Sequence, residues 1–155
     1  MKPIRRLFLD DDPERASAFL KAHPDAVWVK TVAECVEKLA EPWDEVHLDH
    51  DLGGEVYVDA GRDDCGMEVV RWIAREPRKL LRKARFVVHS HNAAAAFEMT
   101  FRLGLLGYRV EALPFGCEPP EVGPPKRART WDSLLAWARR VGGRAEPEPD
   151  PDEIP

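Results

Sequence analysis

The chain has 155 residues, 44% of them hydrophobic and 33% charged, which are the proportions of a folded globular domain rather than a disordered or fibrous chain. No apolar run approaches the roughly 20 residues that span a bilayer, so we expect no membrane partner. The formal net charge of −5 gives no basic footprint for duplex DNA. Three cysteines at irregular spacing, without a signal-peptide pattern, favour a cytoplasmic location.

The first half of the chain predicts alternating strands and helices. Asp12 followed by Pro13 is typical of a helix start, because aspartate caps helix N-termini and proline fits the first turn. Thr31 and Glu34 form a capping box that predicts a second helix. The predicted elements are a strand at 4–9, a helix at 13–22, a strand at 26–30, a helix at 32–40 and a strand at 45–48.

The second half continues the alternation after a long loop rich in Asp and Gly, residues 49–66. A loop of this length inside a compact domain is usually functional or mobile. Asn92 is expected to cap a helix that places Phe97, Phe101 and Leu105 on one face. The predicted elements are a helix at 67–77, strands at 85–89 and 108–113, a helix from 93 to about 106, and a last helix after Thr130.

Five strand–helix repeats predict an α/β fold with one doubly wound parallel sheet, because parallel strands need crossover helices on both sheet faces. The expected strand order is the flavodoxin-like 2-1-3-4-5. We assign residues 1–143 to this domain. Residues 144–155 are expected to be a disordered acidic tail, since they are rich in proline and carry almost no apolar side chains.

Ionisable side chains follow three of the predicted strands where each strand ends. In a doubly wound sheet, ligands lie beyond these carboxyl ends, near the point where the strand order reverses. We therefore expect residues far apart in sequence to line one crevice. They are Asp10 and Asp11 after the first strand, Asp49, His50 and Asp51 after the third, and His89, Ser90 and Asn92 after the fourth.

Clustered carboxylates of this kind need a positive counter-charge at neutral pH. A divalent metal ion supplies it, and nearby histidines extend the choice from Mg²⁺ to Mn²⁺ or Zn²⁺. We predict Asp10, Asp11, Asp49 and Asp51 as metal ligands, and Asp12 as a helix cap. Ser90, Asn92 and the following helix start are expected to bind phosphate.

Several motifs resemble response-regulator receiver domains, and more closely the cyclic-phosphate processing receiver-like family. The paired acids of "LFLDDDPER" and Asp49 are typical of receivers, but the place after the fifth strand lacks the receiver lysine and reads Ala-Leu-Pro. Histidines enrich the site instead. The resemblance covers about residues 4–112 and rests on "LDHDLGG" at 48–54, "GMEVVRWI" at 66–73 and "VHSHN" at 88–92.

This resemblance implies a phosphoesterase that acts on cyclic phosphate groups of nucleotides or RNA ends. It also implies that Arg15 belongs to the phosphate-binding site beside the first acidic pair. Since histidine titrates near neutral pH, we assign the base and acid roles to His50 and His89, with a divalent metal or without one. Two alternatives stay open: a non-catalytic pseudo-receiver that binds or signals, and a metal-dependent nuclease.

Overall fold

One parallel sheet organises the chain, and a computed structural model describes residues 3–116 of it. The strands lie in the order β2-β1-β3-β4-β5, which confirms the predicted fold class and strand order. The elements are β1 (Arg6–Leu9), α1 (Pro13–Ala22), β2 (Val27–Val29), α2 (Val32–Lys38), β3 (Glu45–Leu48), α3 (Gly66–Arg75), a 3₁₀ turn (Lys79–Leu81), β4 (Arg85–Val88), α4 (Ala93–Leu105) and β5 (Arg109–Ala112).

The described residues all lie in one compact unit, Met1–Pro119. The predicted helix after Thr130 and the predicted tail at 144–155 lie outside the described residues, as does the end of the predicted 1–143 domain. Within residues 3–116, no helix combines the length and the apolar character that a membrane crossing requires. The predicted element ends agree with the observed ends to within two residues, and those of α1 and β3 agree without any difference.

Side chains alternate between the two faces of the sheet along each strand, and described helices pack on both faces. Leu7 and Leu9 of β1 point into the main core, together with the alternate residues of β3 and β4. Residues of α2, α3 and α4 cover this face. Phe8 lies on the opposite face, where its ring stacks on Phe19 of α1 with the centroids 4.1 Å apart. This two-sided burial explains the continuous apolar strands.

Local capping fixes where the helices begin, as the sequence predicts. The Asp12 carboxylate accepts hydrogen bonds from the first-turn amides of α1, and Pro13 follows it. The Thr31–Glu34 capping box is present at α2. Asn92 accepts a hydrogen bond from the Ala95 amide and caps α4. Because these caps fall directly after strand ends, each of them also fixes the path of a polar loop.

Helix α4 packs through a different face from the one that its large residues indicate. The buried positions are Ala95, Ala96, Met99 and Leu103. Phe97 and Phe101 stack on each other with the centroids 6.3 Å apart and are half-buried, while Leu105 is 72% exposed. The buried face thus combines two alanines, which allow the helix axis to approach its neighbours closely, with the longer side chains of Met99 and Leu103.

Gly66, the first residue of α3, lies directly against the backbone that carries the polar residues after β3. Its amide donates a hydrogen bond to the carbonyl of His50. A Cβ at this position would lie 1.9 Å from the carbonyl oxygen of Asp49 and 3.0 Å from the Cα of His50. Glycine here therefore sets the distance between α3 and the end of β3.

We expect Gly66→Ala to destabilise the fold by on the order of 3 kcal/mol, because the added methyl group collides with backbone that cannot rotate away. Chemical denaturation of the variant would measure the change in the free energy of unfolding. Gly104→Ala is the matched control: its Cβ would meet nothing closer than 3.9 Å, and alanine favours a helix interior. An unchanged stability in Gly66→Ala would contradict this account of the contact.

Candidate functional site

The sheet hydrogen bonds continue one residue past the strands and place three polar residues side by side. The amide of Asp10 bonds to the carbonyl of Val29, that of Asp49 to Leu9, and that of His89 to Leu48. The β1–β3 and β3–β4 registers pair the preceding residues directly. Asp10, Asp49 and His89 therefore form a row across the carboxyl edge of the central strands.

This row is buried and closely packed. Asp10 is fully buried, and Asp49 and His89 are 4% and 3% exposed. His89 Nε2 lies 3.1 Å from Asp10 Oδ2. A ligand atom from each of the three residues lies within 4.8 Å of the others. The sheet thus holds two carboxyl groups and an imidazole together in a buried position. Each of these polar groups needs a hydrogen-bonding or charged partner there, either one of the other two or an incoming ligand.

Arg15, from the first turns of α1, places its guanidinium on the two carboxylates. Its Nε and Nη2 donate to the Asp10 oxygens at 2.8 Å each, and Nη2 lies 3.0 Å from Asp49 Oδ2. The bidentate geometry on Asp10 is the strong form of this ion pair. The Arg15 side chain is 29% exposed, whereas the two acids are nearly inaccessible. The cation thus lies between the buried acids and solvent.

The two carboxyl groups differ in their electrostatic state. Burial favours the neutral form of Asp10, but the hydrogen bonds of His89 and Arg15 outweigh it and lower the pKa below its usual value. Burial raises the pKa of Asp49, and the nearby Asp10 carboxylate raises it further. Asp10 is therefore the stable anion of the pair, and Asp49 carries its charge at a cost.

His50 and Asp51 form a second hydrogen-bonded group, joined to the row through the backbone. His50 Nδ1 lies 2.7 Å from Asp51 Oδ1, and Asn92 Nδ2 donates to the same oxygen at 3.2 Å. The His50 amide donates to Asp49 Oδ1 at 2.7 Å. The His50 ring is completely buried. The two histidines predicted as an acid–base pair thus belong to separate hydrogen-bonded groups. His89 bonds to Asp10, whereas His50 bonds to Asp51.

Asp51 also anchors the long β3–α3 loop. Its carboxylate accepts hydrogen bonds from the amides of Tyr57 and Val58 at 2.6 and 3.1 Å. Tyr57 has φ = 55°, a left-handed backbone that is unfavourable for a large side chain, and its ring is 79% exposed. Burial alone would raise the pKa of Asp51, but the hydrogen bond from the His50 ring, together with those from Tyr57, Asn92 and Val58, lowers it. The carboxylate charge thus holds the loop in this conformation.

The remaining predicted site residues lie at the rim of the row. The Asp11 carboxylate accepts a hydrogen bond from the Gly54 amide and lies 3.7 Å from Arg15. Ser90 is 2% exposed and accepts a hydrogen bond from the backbone amide of Asn92. Asp11 and Asp51, predicted as metal ligands, therefore use their oxygens on the loop rather than in the Asp10–Asp49–His89 cluster.

The sequence analysis missed the packing that fixes the buried groups. The Phe8 ring stacks on His89, with the centroids 4.8 Å apart and the planes 9° from parallel. The Trp28 indole donates to the carbonyl of Asp10 at 2.6 Å. Strand alternation was the available signal, because it places Phe8 of β1 and His89, which follows β4, on the same face of the sheet, with β3 between the two strands.

Two buried nitrogens, His50 Nε2 and His89 Nδ1, have no hydrogen-bond partner among residues 3–116. A buried polar atom without a partner costs free energy that a ligand, a water molecule or a reacting group can recover. Two carboxylates and an imidazole are also a donor set that suits Mn²⁺ or Zn²⁺ better than Mg²⁺, which prefers oxygen ligands. Asp10, Asp49 and His89 therefore fit a divalent metal, although Arg15 already occupies oxygens of both acids.

The raised pKa of Asp49 leads to a prediction about stability. Its folded-state pKa lies above the unfolded value, so ionisation at neutral pH opposes folding, and this cost disappears once Asp49 is protonated. In EDTA, Asp49→Asn is expected to raise the free energy of unfolding by about 1 kcal/mol at about pH 7.5. Denaturation curves should show the gain shrinking toward about pH 4. A variant less stable than the parent at neutral pH would contradict the assignment. Exposed Asp25→Asn is the control.

Solved structures similar to this chain include one whose title names a receiver domain. The receiver domain in "BeF3 Activated DrrB Receiver Domain" is 16% identical, with a TM-score of 0.47, covering 92% of this chain and 100% of that one. A complex of the P1 domain of CheA3 with CheY6 from R. sphaeroides is 22% identical, with a TM-score of 0.41, covering 92% and 98%. RcsB dimers bound to two parallel DNAs match at 15% identity and a TM-score of 0.45, covering 95% and 64%.

No match was found among curated proteins. A sequence model of the family described as "Cyclic-phosphate processing Receiver domain" matches residues 5–104. This range contains every residue of the buried row and of the His50–Asp51 group. It confirms the resemblance drawn from the "LDHDLGG" and "VHSHN" motifs. The chain therefore belongs to the cyclic-phosphate processing receiver domain family.

Proposed function

We propose that this protein is a phosphoesterase that opens cyclic phosphodiesters of nucleotides or RNA ends. The observation that carries the proposal is the buried His89 imidazole, which is bonded to the Asp10 carboxylate and has a second nitrogen without a partner in the described part of the chain. A carboxylate-oriented imidazole with a free nitrogen is the arrangement of a general base or acid. Membership of the cyclic-phosphate processing receiver domain family supports the same substrate class.

The reaction adds one water molecule to a cyclic phosphate. A water oxygen forms a new bond to phosphorus, and one of the two phosphorus–oxygen bonds of the ring breaks. The base takes a proton from the water, and the acid gives a proton to the leaving ribose oxygen. The product is a phosphomonoester with a free hydroxyl group, so no oxidant, reductant or second substrate is required.

Two carboxylate–imidazole pairs can divide these proton transfers. An ionised carboxylate only accepts hydrogen bonds, so Asp10 selects the tautomer of His89 with the proton on Nε2. The free Nδ1 then carries the lone pair of a base. Asp51 orients His50 in the same way and leaves Nε2 without a partner. Because both nitrogens are buried, substrate binding has to open a path to them.

Arg15 is the best placed group to receive the phosphate. It is the cation of the site and is 29% exposed, so an incoming anion meets the guanidinium before the buried acids. Charge-assisted hydrogen bonds from a guanidinium suit phosphoryl oxygens. Ser90 and Asn92, at the start of α4, add neutral polar groups beside it.

A divalent metal would be held by Asp10, Asp49 and His89 in place of the His89–Asp10 hydrogen bond, and would supply positive charge to the phosphoryl oxygens. Arg15 supplies part of that charge already, since it bonds to both acids. The Arg15 guanidinium and a metal ion would therefore compete for the same carboxylate oxygens of Asp10 and Asp49.

The chain after β5 favours this proposal over phosphate signalling. In receivers a lysine at this position meets the phosphoryl group, whereas here residues 113–116 read Leu-Pro-Phe-Gly. The Leu113 amide bonds to the carbonyl of Val88, and the Phe115 amide bonds to that of His89. The Phe115 ring also packs edge-on against the His89 ring, with the centroids 6.2 Å apart. The aromatic ring of Phe115 thus lines one side of His89, where receivers have a lysine.

Replacing either histidine is expected to slow ring opening. Against 2′,3′-cyclic mononucleotides, His50→Ala and His89→Ala should each lower kcat by about 10² to 10⁴, because each removes a proton-transfer group. The measurement is chromatographic detection of the nucleoside monophosphate. His91→Ala is the matched control, since His91 lies between Ser90 and Asn92 but is exposed.

Unchanged turnover in both the His50→Ala and the His89→Ala variant would contradict the proposed acid–base mechanism. A native protein that opens no cyclic phosphate, yet accepts phosphate on Asp49 from a small phosphodonor, would support the signalling alternative instead. Cleavage of single-stranded RNA without any action on cyclic mononucleotides would indicate a nuclease. Circular dichroism of each variant distinguishes loss of chemistry from loss of the fold.

Arg15 and a metal ion would compete for the carboxylate oxygens of Asp10 and Asp49, and this competition predicts how removal of Arg15 changes the metal affinity. Arg15→Ala should tighten Mn²⁺ binding by about tenfold, because it frees oxygens of Asp10 and Asp49 and removes a neighbouring positive charge. Electron paramagnetic resonance of free Mn²⁺ measures this affinity without reference to turnover. Arg102→Ala, at an exposed pair on α4, is the control. Equal affinity in Arg15→Ala and the parent would show that the guanidinium and the metal do not compete.

A further inference from the structure

A cleft of about 740 Å³ opens beside the candidate site and takes no part in the proposed chemistry. Its apolar wall comprises Val32 and Val36 of α2, Leu52 of the β3–α3 loop and the Trp72 indole of α3. Ligand pockets of this size usually combine such a wall with a few polar groups. The cleft has the dimensions and the surface for an aromatic ring system.

The cleft borders the proposed phosphate site through Asp11. Asp11 and Gly53 line it, and Asp11 is also the acid that lies 3.7 Å from the Arg15 guanidinium. Gly54, the next residue along the loop, donates its amide to Asp11. One ligand can therefore place a phosphate at Arg15 and extend a second group into the cleft.

Charge at the rim of the cleft excludes a second anion and favours a group that donates hydrogen bonds. Asp64 is paired with Arg62, and Glu68 with Arg71 and Arg75. Asp63 is exposed, and its carboxylate forms no hydrogen bond or ion pair with the rest of the described chain. Lys30 is the cation at this rim and lies over the Trp28 ring. Acceptors thus predominate, with one ammonium donor beside them.

We propose that this cleft binds the base of the nucleotide substrate and selects guanine. The proposal rests on the proposed function, since the cyclic phosphate of the same ligand lies at Arg15. Guanine offers two adjacent donors, N1–H and the N2 amino group, which match the two oxygens of one carboxylate such as Asp63. Its O6 acceptor suits the ammonium of Lys30. Trp72 provides the apolar surface for the ring.

The other bases fit this rim less well. Adenine and cytosine each place a ring-nitrogen acceptor beside their amino group, and that acceptor would face a carboxylate oxygen. Uracil has a single N–H between two carbonyl groups. A site made of acceptors rejects such edges because a lone pair would be held against another lone pair.

Nucleosides without phosphate test the cleft separately from catalysis. Guanosine, adenosine, cytidine and uridine would be titrated into the ¹⁵N-labelled full chain, following the indole N–H signal of Trp72, which Trp72→Phe assigns. We expect guanosine to shift this signal with a Kd about tenfold below that of the other three nucleosides.

A single substitution should alter the preference. Asp63→Asn is expected to weaken guanosine binding by about tenfold and to improve adenosine binding, because an amide pairs with the donor and acceptor of adenine. Asp25→Asn, an exposed acid in the α1–β2 turn, is the matched control and should leave the order of affinities unchanged. A change that merely disturbed the loop would weaken all four nucleosides equally.

The outcomes separate this inference from the proposed function. Equal affinities for the four nucleosides, or no binding by a chain that opens cyclic phosphates, would overturn the guanine site and leave the phosphoesterase proposal intact. Guanosine binding by a chain that opens no cyclic phosphate would support the site and overturn the proposed reaction. An unchanged preference in Asp63→Asn would also overturn the inference.

Discussion

The architecture of the site depends on holding two carboxyl groups side by side in a sheet that excludes water. Asp10 and Asp49 continue the ladder of β1 and β3, so the backbone leaves them no freedom to separate. Their repulsion in a buried setting is offset by the Arg15 guanidinium and, on one side, by the His89 imidazole. Because of this arrangement, Asp10 is a stabilised anion and Asp49 a destabilised one. This edge of the sheet therefore favours the binding of a further cation or proton.

Much of the fold could be predicted from the sequence, because its signals are local. The Asp12 cap, the Thr31–Glu34 capping box and the Asn92 cap are decided within a few residues, and all three are present. The strand order followed from handedness rules for alternating strands and helices. Helix α4 was harder, since Phe97 and Phe101 satisfy the helical spacing while the smaller Ala96 faces the core.

The residues of the site could be predicted as a set, but not their partners. Strand ends predicted that acids and histidines would gather, yet the pairing of His89 with Asp10, 79 positions away, depends on strand register. Arg15 was predicted to bind phosphate, and nothing in the spacing indicated its bidentate bond to Asp10. The structural role of Gly66 could not be predicted either, because it arises from a close approach to the Asp49 carbonyl. Such features belong to tertiary contacts, which a local pattern does not encode.

The carboxylate of Asp51 links elements that would otherwise move independently. It accepts from the loop amides at Tyr57 and Val58, from the Asn92 amide that caps α4, and from the His50 ring. A ligand that draws this carboxylate aside releases the loop, the helix start and the imidazole together. By thermodynamic reciprocity, whatever steadies the loop also changes the affinity for that ligand by the same factor. Sequence changes at the exposed loop tip can therefore tune ligand affinity without touching a buried residue.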